Sequence, residues 1–387
     1  MNNLKRDKMM KKMKKRTNLT FMWALMVSVV LISTFTTPAT ACTGICLSGA
    51  DKGAVVGRSM EWGAFDLHSR VTIIPRGHKF TGLTPDGYTG KKWIAKYGVV
   101  GLDMLEKVTI ADGMNEKGLY AGLFYHPGFA QYPKHDPAKS DSTITAIDVV
   151  HYILTQFATV DEVKEGMNKV RVVPVVEESI GIPVEAHFMV TDSQGKSIVV
   201  EFADGKVKIF DNPLGVITNA PNFDWHITNL RNYVNLSPVA IPAKKIENID
   251  FTALGAGSGM IGLPGDFTPP SRFVRAVAFS QTARPTETSD ETVYELFRML
   301  DHFNVGLGSA EGTGLGGSDI SKLRSATLWT TACDTKKNIF YYHTQHNRRV
   351  RKVDLNAIDF SAIGDSIIYI PLDKKKEQDI EDITPGK

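Results

Sequence analysis

An A-x-A pattern, Ala39-Thr40-Ala41, stands directly before Cys42. Ahead of it lie a basic stretch, Lys5 to Arg16, and an apolar run, Phe21 to Phe35. That order reads as a secretory signal with its peptidase site. Removing these 41 of 387 residues leaves 346 to fold, with Cys42 first among them. A leading cysteine carries a thiol and a free α-amine on one carbon framework. The amine can act as general base for the thiol, so nucleophile and base come as one residue. The thiol's free pKa is roughly 8.5 and the amine's about 7.7–8.0, which suits proton transfer near neutral pH. Two other readings compete. Cys42 could be an ordinary core cysteine with cleavage elsewhere. It could also be a lipoprotein cysteine, although a lipobox normally has Leu where this chain has Ala39.

The formal charge of the whole chain is +3. Residues 1–16 hold eight Lys/Arg and one Asp, and 17–41 are uncharged, so +7 leaves with the signal and the mature chain carries −4. The basic balance belongs to the signal, and no nucleic-acid partner follows from it. No later stretch approaches the roughly 18 consecutive apolar residues of a membrane span. A soluble, exported protein is expected, periplasmic or secreted. Three cysteines, Cys42, Cys46 and Cys333, are too few for a disulfide scaffold. A Cys46–Cys333 bridge is open, but buried unpaired thiols are common enough.

Strand-like runs dominate the first half: Val55–Gly57, Val71–Pro75, Val108–Asp112 and Leu119–Tyr125. Thr143–Phe157 has helical apolar spacing, and Val160–Val170 continues as a second helix. Strands resume at Ala186–Asp192, Ser197–Ala203 and Lys206–Asp211. Asp204-Gly205 between the last two signals a hairpin. Helical patterns follow at Arg272–Ser280 and Glu291–Phe303, then strands at Ala326–Cys333, Asn338–Thr344 and Arg351–Asp354. Hairpins with helices gathered between them argue for an α+β layered sandwich, not a doubly wound parallel sheet. The organisation is a signal over 1–41, one catalytic domain over 42–372, and a charged tail over 373–387 that is expected to be disordered.

Some patterns carry chemistry and others do not. Arg58 lies within Gly57-Arg58-Ser59-Met60-Glu61-Trp62, and an Arg near a thiol favours the thiolate. A nearby carboxylate could hold the protonated amine; on its own, such a pair is more often a surface salt bridge. Asn219 in Thr218-Asn219-Ala220-Pro221 could donate to an oxyanion, though an Asn there is more often turn chemistry. Gly257-Ser258-Gly259-Met260-Ile261-Gly262 matches a dinucleotide fingerprint but lacks the strand before and the helix after. Gly306–Gly317 has no phosphate-binding Lys-Ser/Thr. The ten His residues show no H-E-x-x-H spacing, so no metal is expected. The run Arg348, Arg349, Arg351, Lys352 reads as a solvated edge or an intersubunit patch.

Taken in order, these pieces resemble the choloylglycine hydrolases, which include bile salt hydrolases and penicillin V acylases. The matching segments are Cys42-Thr43-Gly44, 57–62, Asp112-Gly113-Met114-Asn115-Glu116-Lys117-Gly118-Leu119, 218–225, Gly262–Phe267, Ser271-Arg272-Phe273 and 347–355. The resemblance implies an N-terminal-nucleophile fold, a four-layer αββα sandwich of antiparallel sheets. It implies Cys42 as nucleophile, Arg58 beside the thiol, Asn219 at the oxyanion and Arg272 as a second active-site Arg. Where the family usually has Asp, this chain has Glu61, one methylene longer and expected still to reach the α-amine. In Gly122-Leu123-Phe124-Tyr125-His126-Pro127, either Phe124 or Tyr125 holds the place whose backbone N–H completes the oxyanion hole. Met60 and Trp62, with Phe124 and Tyr125, are expected to line an apolar pocket.

The expected activity is hydrolysis of a small-molecule linear amide, of conjugated bile salt or penicillin V type, through a thioester and without cofactor. N-acyl homoserine lactones fit the same chemistry. Family members are often tetramers. A Cys–His protease would need a His base and the C-G-[SA]-C-[WY] run, which is missing. A non-catalytic binder, or a lipoprotein anchored through Cys42, is the reading outside catalysis.

Overall fold

Hairpin after hairpin, the described residues lay fourteen strands into two antiparallel sheets. The computed structural model describes residues 42–63, 66–179, 181–310 and 326–385. The expected signal, part of the Gly306–Gly317 loop and the last two residues lie outside them.

In chain order the strands are β1 (Thr43–Ser48), β2 (Ala54–Trp62), β3 (Arg70–Ile74), β4 (Val99–Asp103), β5 (Ile110–Asn115), β6 (Tyr120–Tyr125) and β7 (Ala186–Thr191). They continue as β8 (Ser197–Ala203), β9 (Lys206–Asp211), β10 (Val216–Ile217), β11 (Ala326–Asp334), β12 (Ile339–Thr344), β13 (Arg351–Asp354) and β14 (Ile368–Pro371). One sheet runs β10-β1-β2-β11-β12-β13 and the other β9-β8-β7-β6-β5-β4-β3-β14. The longer helices are α1 (Val149–Gln156), α2 (Val160–Met167), α3 (Phe223–Asn229), α4 (Pro269–Thr282) and α5 (Ser289–Asp301). Helix α1 packs on β5 and β6, while α4 and α5 pack on the first sheet. Strands β5 and β11 meet across the middle. The result is the expected αββα sandwich.

Central strands covered on both faces bury every residue. All of β6, β7 and β8 are buried, as is β2 except at Trp62. That is why β2 is longer than its apolar signal: Arg58, Ser59 and Glu61 break the pattern in sequence yet lie inside. Its pairing also needs Gly57, where a Cβ would stand 2.1 Å from the Thr331 carbonyl oxygen. The Asp204-Gly205 turn joins β8 to β9 with φ of 55° and 69°, both in the left-handed region that a two-residue hairpin requires.

Several elements differ from the sequence pattern. The helix expected over Thr143–Phe157 begins only at Val149, because Thr143–Thr145 pairs in parallel with Arg171–Val173. Asp148 then caps the turn, accepting from Thr145 N and Leu83 N at 3.0 Å each. Helix α5 starts two residues before Glu291, where Thr288 accepts from Glu291 N in a Thr-x-x-Glu cap. Strands β4 and β14 carry no strong periodic signal and form by pairing on either side of β3.

Cys46 and Cys333 remain thiols. Both lie opposite Val56, one on each side. Two strand spacings of about 4.8 Å separate them, beyond disulfide reach. The basic run is held by acidic partners: Arg348 with Asp301, Arg349 with Asp379, and Arg351 with Asp373. Among the described residues no helix is long and apolar enough to cross a membrane.

Candidate active site

Cys42 sits at the head of β1, between the two sheets, and is 3% exposed. Its backbone N donates to Asn219 Oδ1 at 3.0 Å. Its Sγ lies 3.8 Å from Met60 Sδ. The approach is close because residue 44 is glycine: a Cβ there would meet Phe124 Cζ at 2.7 Å and Ile217 Cγ2 at 2.8 Å.

Two fully buried arginines flank it. Arg58 faces Gly44 across the β1–β2 pair and spans to the second sheet, where Nη1 donates to the Leu123 carbonyl. Its guanidinium stacks 4.3 Å over the Phe124 ring. Burial opposes its charge, but Cys42, Asp112, Tyr120 and Glu61 outweigh burial and raise its pKa. Arg272 comes from α4. Its Nη1 donates to the Cys42 carbonyl and to Thr43 Oγ1 (2.9 Å), and Nη2 donates to Asn219 Oδ1 at 2.7 Å. Burial pulls Arg272 down to about 10, against the pull of Glu61 and Cys42.

Asn219 is the hub. An arginine only donates, so the atom facing Arg272 is the amide oxygen, and Nδ2 points the other way. Nδ2 donates to the Tyr125 carbonyl at 2.8 Å. The carbonyls of Leu123 and Tyr125 thus face the site, while Phe124 pairs with His187 of β7. On an extended strand a residue's N–H and C=O point to the same side. The Tyr125 N–H therefore aims at the site, between two carbonyls already anchored there. Side chains sort the same way. Met60, Trp62, Leu123 and Tyr125 line an apolar cavity of about 50 Å³ beside Cys42. The Phe124 ring lies beneath Arg58 and is not part of that wall.

Glu61 is placed differently from the expected contact with the amine. Its Oε1 accepts from Thr327 Oγ1 at 2.7 Å, its direct neighbour across the β2–β11 pair. Among the described residues its Oε2 has no hydrogen-bond partner, and Cys42 N bonds Asn219 instead. Burial pushes Glu61 up to about 7, against Arg272 and the Thr327 hydrogen bond. A carboxyl that keeps its proton in the fold destabilises the fold once it must ionise. Between about pH 4.5 and 7 the folded chain holds a proton that the unfolded chain has lost, so stability falls with rising pH across that window, by about 3 kcal/mol in all. Glu61→Gln should therefore gain on the parent from pH 4.5 to 7 and then level off. Denaturant midpoints at several pH values test this; a constant difference would refute it.

Two contributors carried no assigned role in sequence. Asp112 is a buried counter-charge to Arg58, held by Tyr120 Oη (2.5 Å) and Thr331 Oγ1 (2.6 Å), and raised by burial to about 6. It falls within the matching segment 112–119, which was its one signal. Glu177 lines the cavity and pairs with Lys107 Nζ at 2.8 Å; no pattern marks it.

A buried thiol at the head of a strand, two buried arginines and an Asn amide inside an αββα sandwich define an amide hydrolase of the N-terminal-nucleophile fold. The chain belongs to the linear amide C–N hydrolases of the choloylglycine hydrolase family, whose family model matches residues 42–369. It is 34% identical over 319 residues to a bile salt hydrolase/transferase from Clostridium perfringens, covering 81% of this chain and 92% of that one. A penicillin V acylase from Pectobacterium atrosepticum is 26% identical over 331 residues, covering 82% and 81%. Among solved structures, a conjugated bile acid hydrolase from Clostridium perfringens superposes with a TM-score of 0.75 at 31% identity, over 89% of this chain and all of that one. The chain is a hydrolase acting on linear amides.

Proposed function

We propose that the chain is exported, cut after Ala41, and hydrolyses the amide of a conjugated bile salt through Cys42. The observation that carries this is the junction itself: the family match starts at Cys42, whose N and Sγ both face the site. In the cleaved protein the α-amine takes the thiol proton, and Sγ attacks the amide carbonyl. Asn219 Nδ2, exchanging the Tyr125 carbonyl for substrate, and the Tyr125 N–H hold the developing oxyanion. The α-ammonium protonates the leaving amine, and the acyl group stays as a thioester. Water, losing its proton to the free amine, then releases the acid and restores the thiol. Arg58 and Arg272 favour the thiolate, and Arg272 fixes the Cys42 carbonyl and the Asn219 amide together. Glu61 acts through Arg272 rather than on the amine. The tetramer common in the family is the proposed assembly.

Penicillin V is the second reading. It is favoured by the aromatic wall, where Trp62 and Tyr125 meet edge to face at 6.0 Å, a fit for a phenoxyacetyl ring. The test is kcat/KM of the mature enzyme on glycine- and taurine-conjugated bile salts, penicillin V and N-acyl homoserine lactones. Bile salts are expected to lead by about tenfold or more, the ratio that 1.4 kcal/mol of differential binding supplies. Preference for penicillin V moves the second reading to the front, and inactivity on all of them ends both.

A further inference from the structure

Behind Asn219, away from Cys42, three imidazoles and one carboxylate are shut inside the sandwich: His126 after β6, His187 on β7, Glu201 on β8 and His226 on α3. None is more than 1% exposed. His187 Nδ1 lies 3.1 Å from Glu201 Oε1, and its Nε2 lies 3.0 Å from the Thr218 carbonyl. Both partners are oxygens, yet a neutral imidazole has a single N–H. Glu201 Oε1 also accepts from Phe223 N at 2.8 Å. The geometry therefore needs one proton more than a neutral histidine beside a carboxylate supplies. That proton belongs to the pair, as imidazolium with carboxylate or imidazole with carboxylic acid. Burial raises Glu201, which favours keeping it.

The surrounding groups add no competing charge in contact. The His126 ring stacks on His187 with centroids 4.1 Å apart, and burial holds it neutral, down to about 3. Its Nε2 stands 3.9 Å from Glu201 Oε1. Phe124 meets His187 edge-on. His226, also neutral by burial, donates Nε2–H to the Asn219 carbonyl at 2.9 Å. Asp224 and Arg272 act only through space, on Glu201 and His226. His126, His187 and Glu201 have a metal-like spacing. Parallel stacked rings, however, aim their lone pairs side by side, and both His187 nitrogens are already engaged.

His187 and His226 thus pin two consecutive carbonyls, those of Thr218 and Asn219. We propose that His187, Glu201 and His226 are positioning residues for Asn219, with one proton shared by His187 and Glu201 locking the 218–219 backbone from behind. The functional part rests on Asn219 as oxyanion donor. A misplaced donor costs turnover more than ground-state affinity, so a loosened Asn219 lowers kcat and spares KM.

The test has a spectroscopic and a kinetic arm. In the mature enzyme at pH 7, ¹⁵N-histidine NMR and difference infrared spectra are expected to show either a doubly protonated His187 or a carboxylic acid that Glu201→Gln removes. Neutral His187 beside ionised Glu201 would overturn the proposal. This arm needs no substrate, so it judges the proton count even where the reading of Asn219 fails. Glu201→Gln is expected to lower kcat about tenfold or more with KM within about twofold, and to abolish the part of the kcat–pH profile that belongs to the pair. Parental kcat with an unchanged profile overturns the positioning role. Should Glu201→Gln not fold, His226→Gln carries the same expected kcat loss, and parental kcat there overturns it equally.

Discussion

Cys42→Ala should abolish turnover, with a loss of about 10⁵-fold or more in kcat, while the fold survives. Removing a covalent nucleophile from comparable machinery costs on the order of 10⁶, because the remaining groups stabilise an oxyanion that no longer forms. The fold should tolerate the change. The side chain is small, and the links at this position come from its backbone: N to Asn219 and the carbonyl to Arg272. Ala also preserves the A-x-A pattern, so the proposed export and cleavage should be unaffected. Intact mass and N-terminal sequencing establish that residue 42 leads, circular dichroism establishes the fold, and steady-state kinetics gives the rate. A folded variant within tenfold of parental kcat would sink the nucleophile assignment. Cys42→Ser keeps a hydroxyl in place of the thiol and should fall between the two. Parent protein that retains Ala41 has an amide in place of the base, and should be inactive with its thiol intact.

That the family domain begins at Cys42 was legible, because the A-x-A pattern standing directly before it is a local signal. So was the Asp204-Gly205 hairpin, where two residues set the turn. The site was legible one residue at a time and not as a geometry. Sequence marks Glu61 as a carboxylate near the thiol, but its partner Thr327 is 266 residues away and is chosen by the β2–β11 register. No local pattern encodes a cross-strand neighbour at that distance. The choice between Phe124 and Tyr125 was open for the same reason. Strand alternation sends one into the layer beneath Arg58 and the other to the cavity, and only pairing with β7 says which. His126, His187, Glu201 and His226 converge from four segments with no shared spacing, so a search for metal-like motifs passes over them. Polar residues inside β2 hid most of that strand: Arg58, Ser59 and Glu61 occupy buried positions that a plain core would fill with apolar side chains.

That placement sets the second large effect. Arg58→Met should cost about 3–5 kcal/mol of folding stability, the usual cost of removing one partner from a buried ionic cluster. Methionine fills much of the same volume, so the loss is electrostatic rather than a cavity. Arg58 is fully buried, and the groups answering its charge are Cys42, Asp112, Tyr120 and Glu61. Without it, Asp112 loses the positive charge that holds its pKa down, while Tyr120 and Thr331 still donate to its carboxylate. Asp112 must then stay ionised and unpaired or take up a proton, so the deficit should be larger at pH 8 than at pH 5. Adding Asp112→Asn removes the orphaned charge and keeps side-chain partners for both hydroxyls. The double variant should recover a large part of the deficit, giving a coupling of about 1–3 kcal/mol in a double-mutant cycle. Denaturant unfolding of the four proteins at pH 5 and pH 8 measures it. Strict additivity at both pH values would mean that Arg58 is held by the Phe124 ring and the Leu123 carbonyl alone. Activity should not return with stability: the double variant restores the charge balance of the layer but leaves Cys42 without the cation that favours its thiolate.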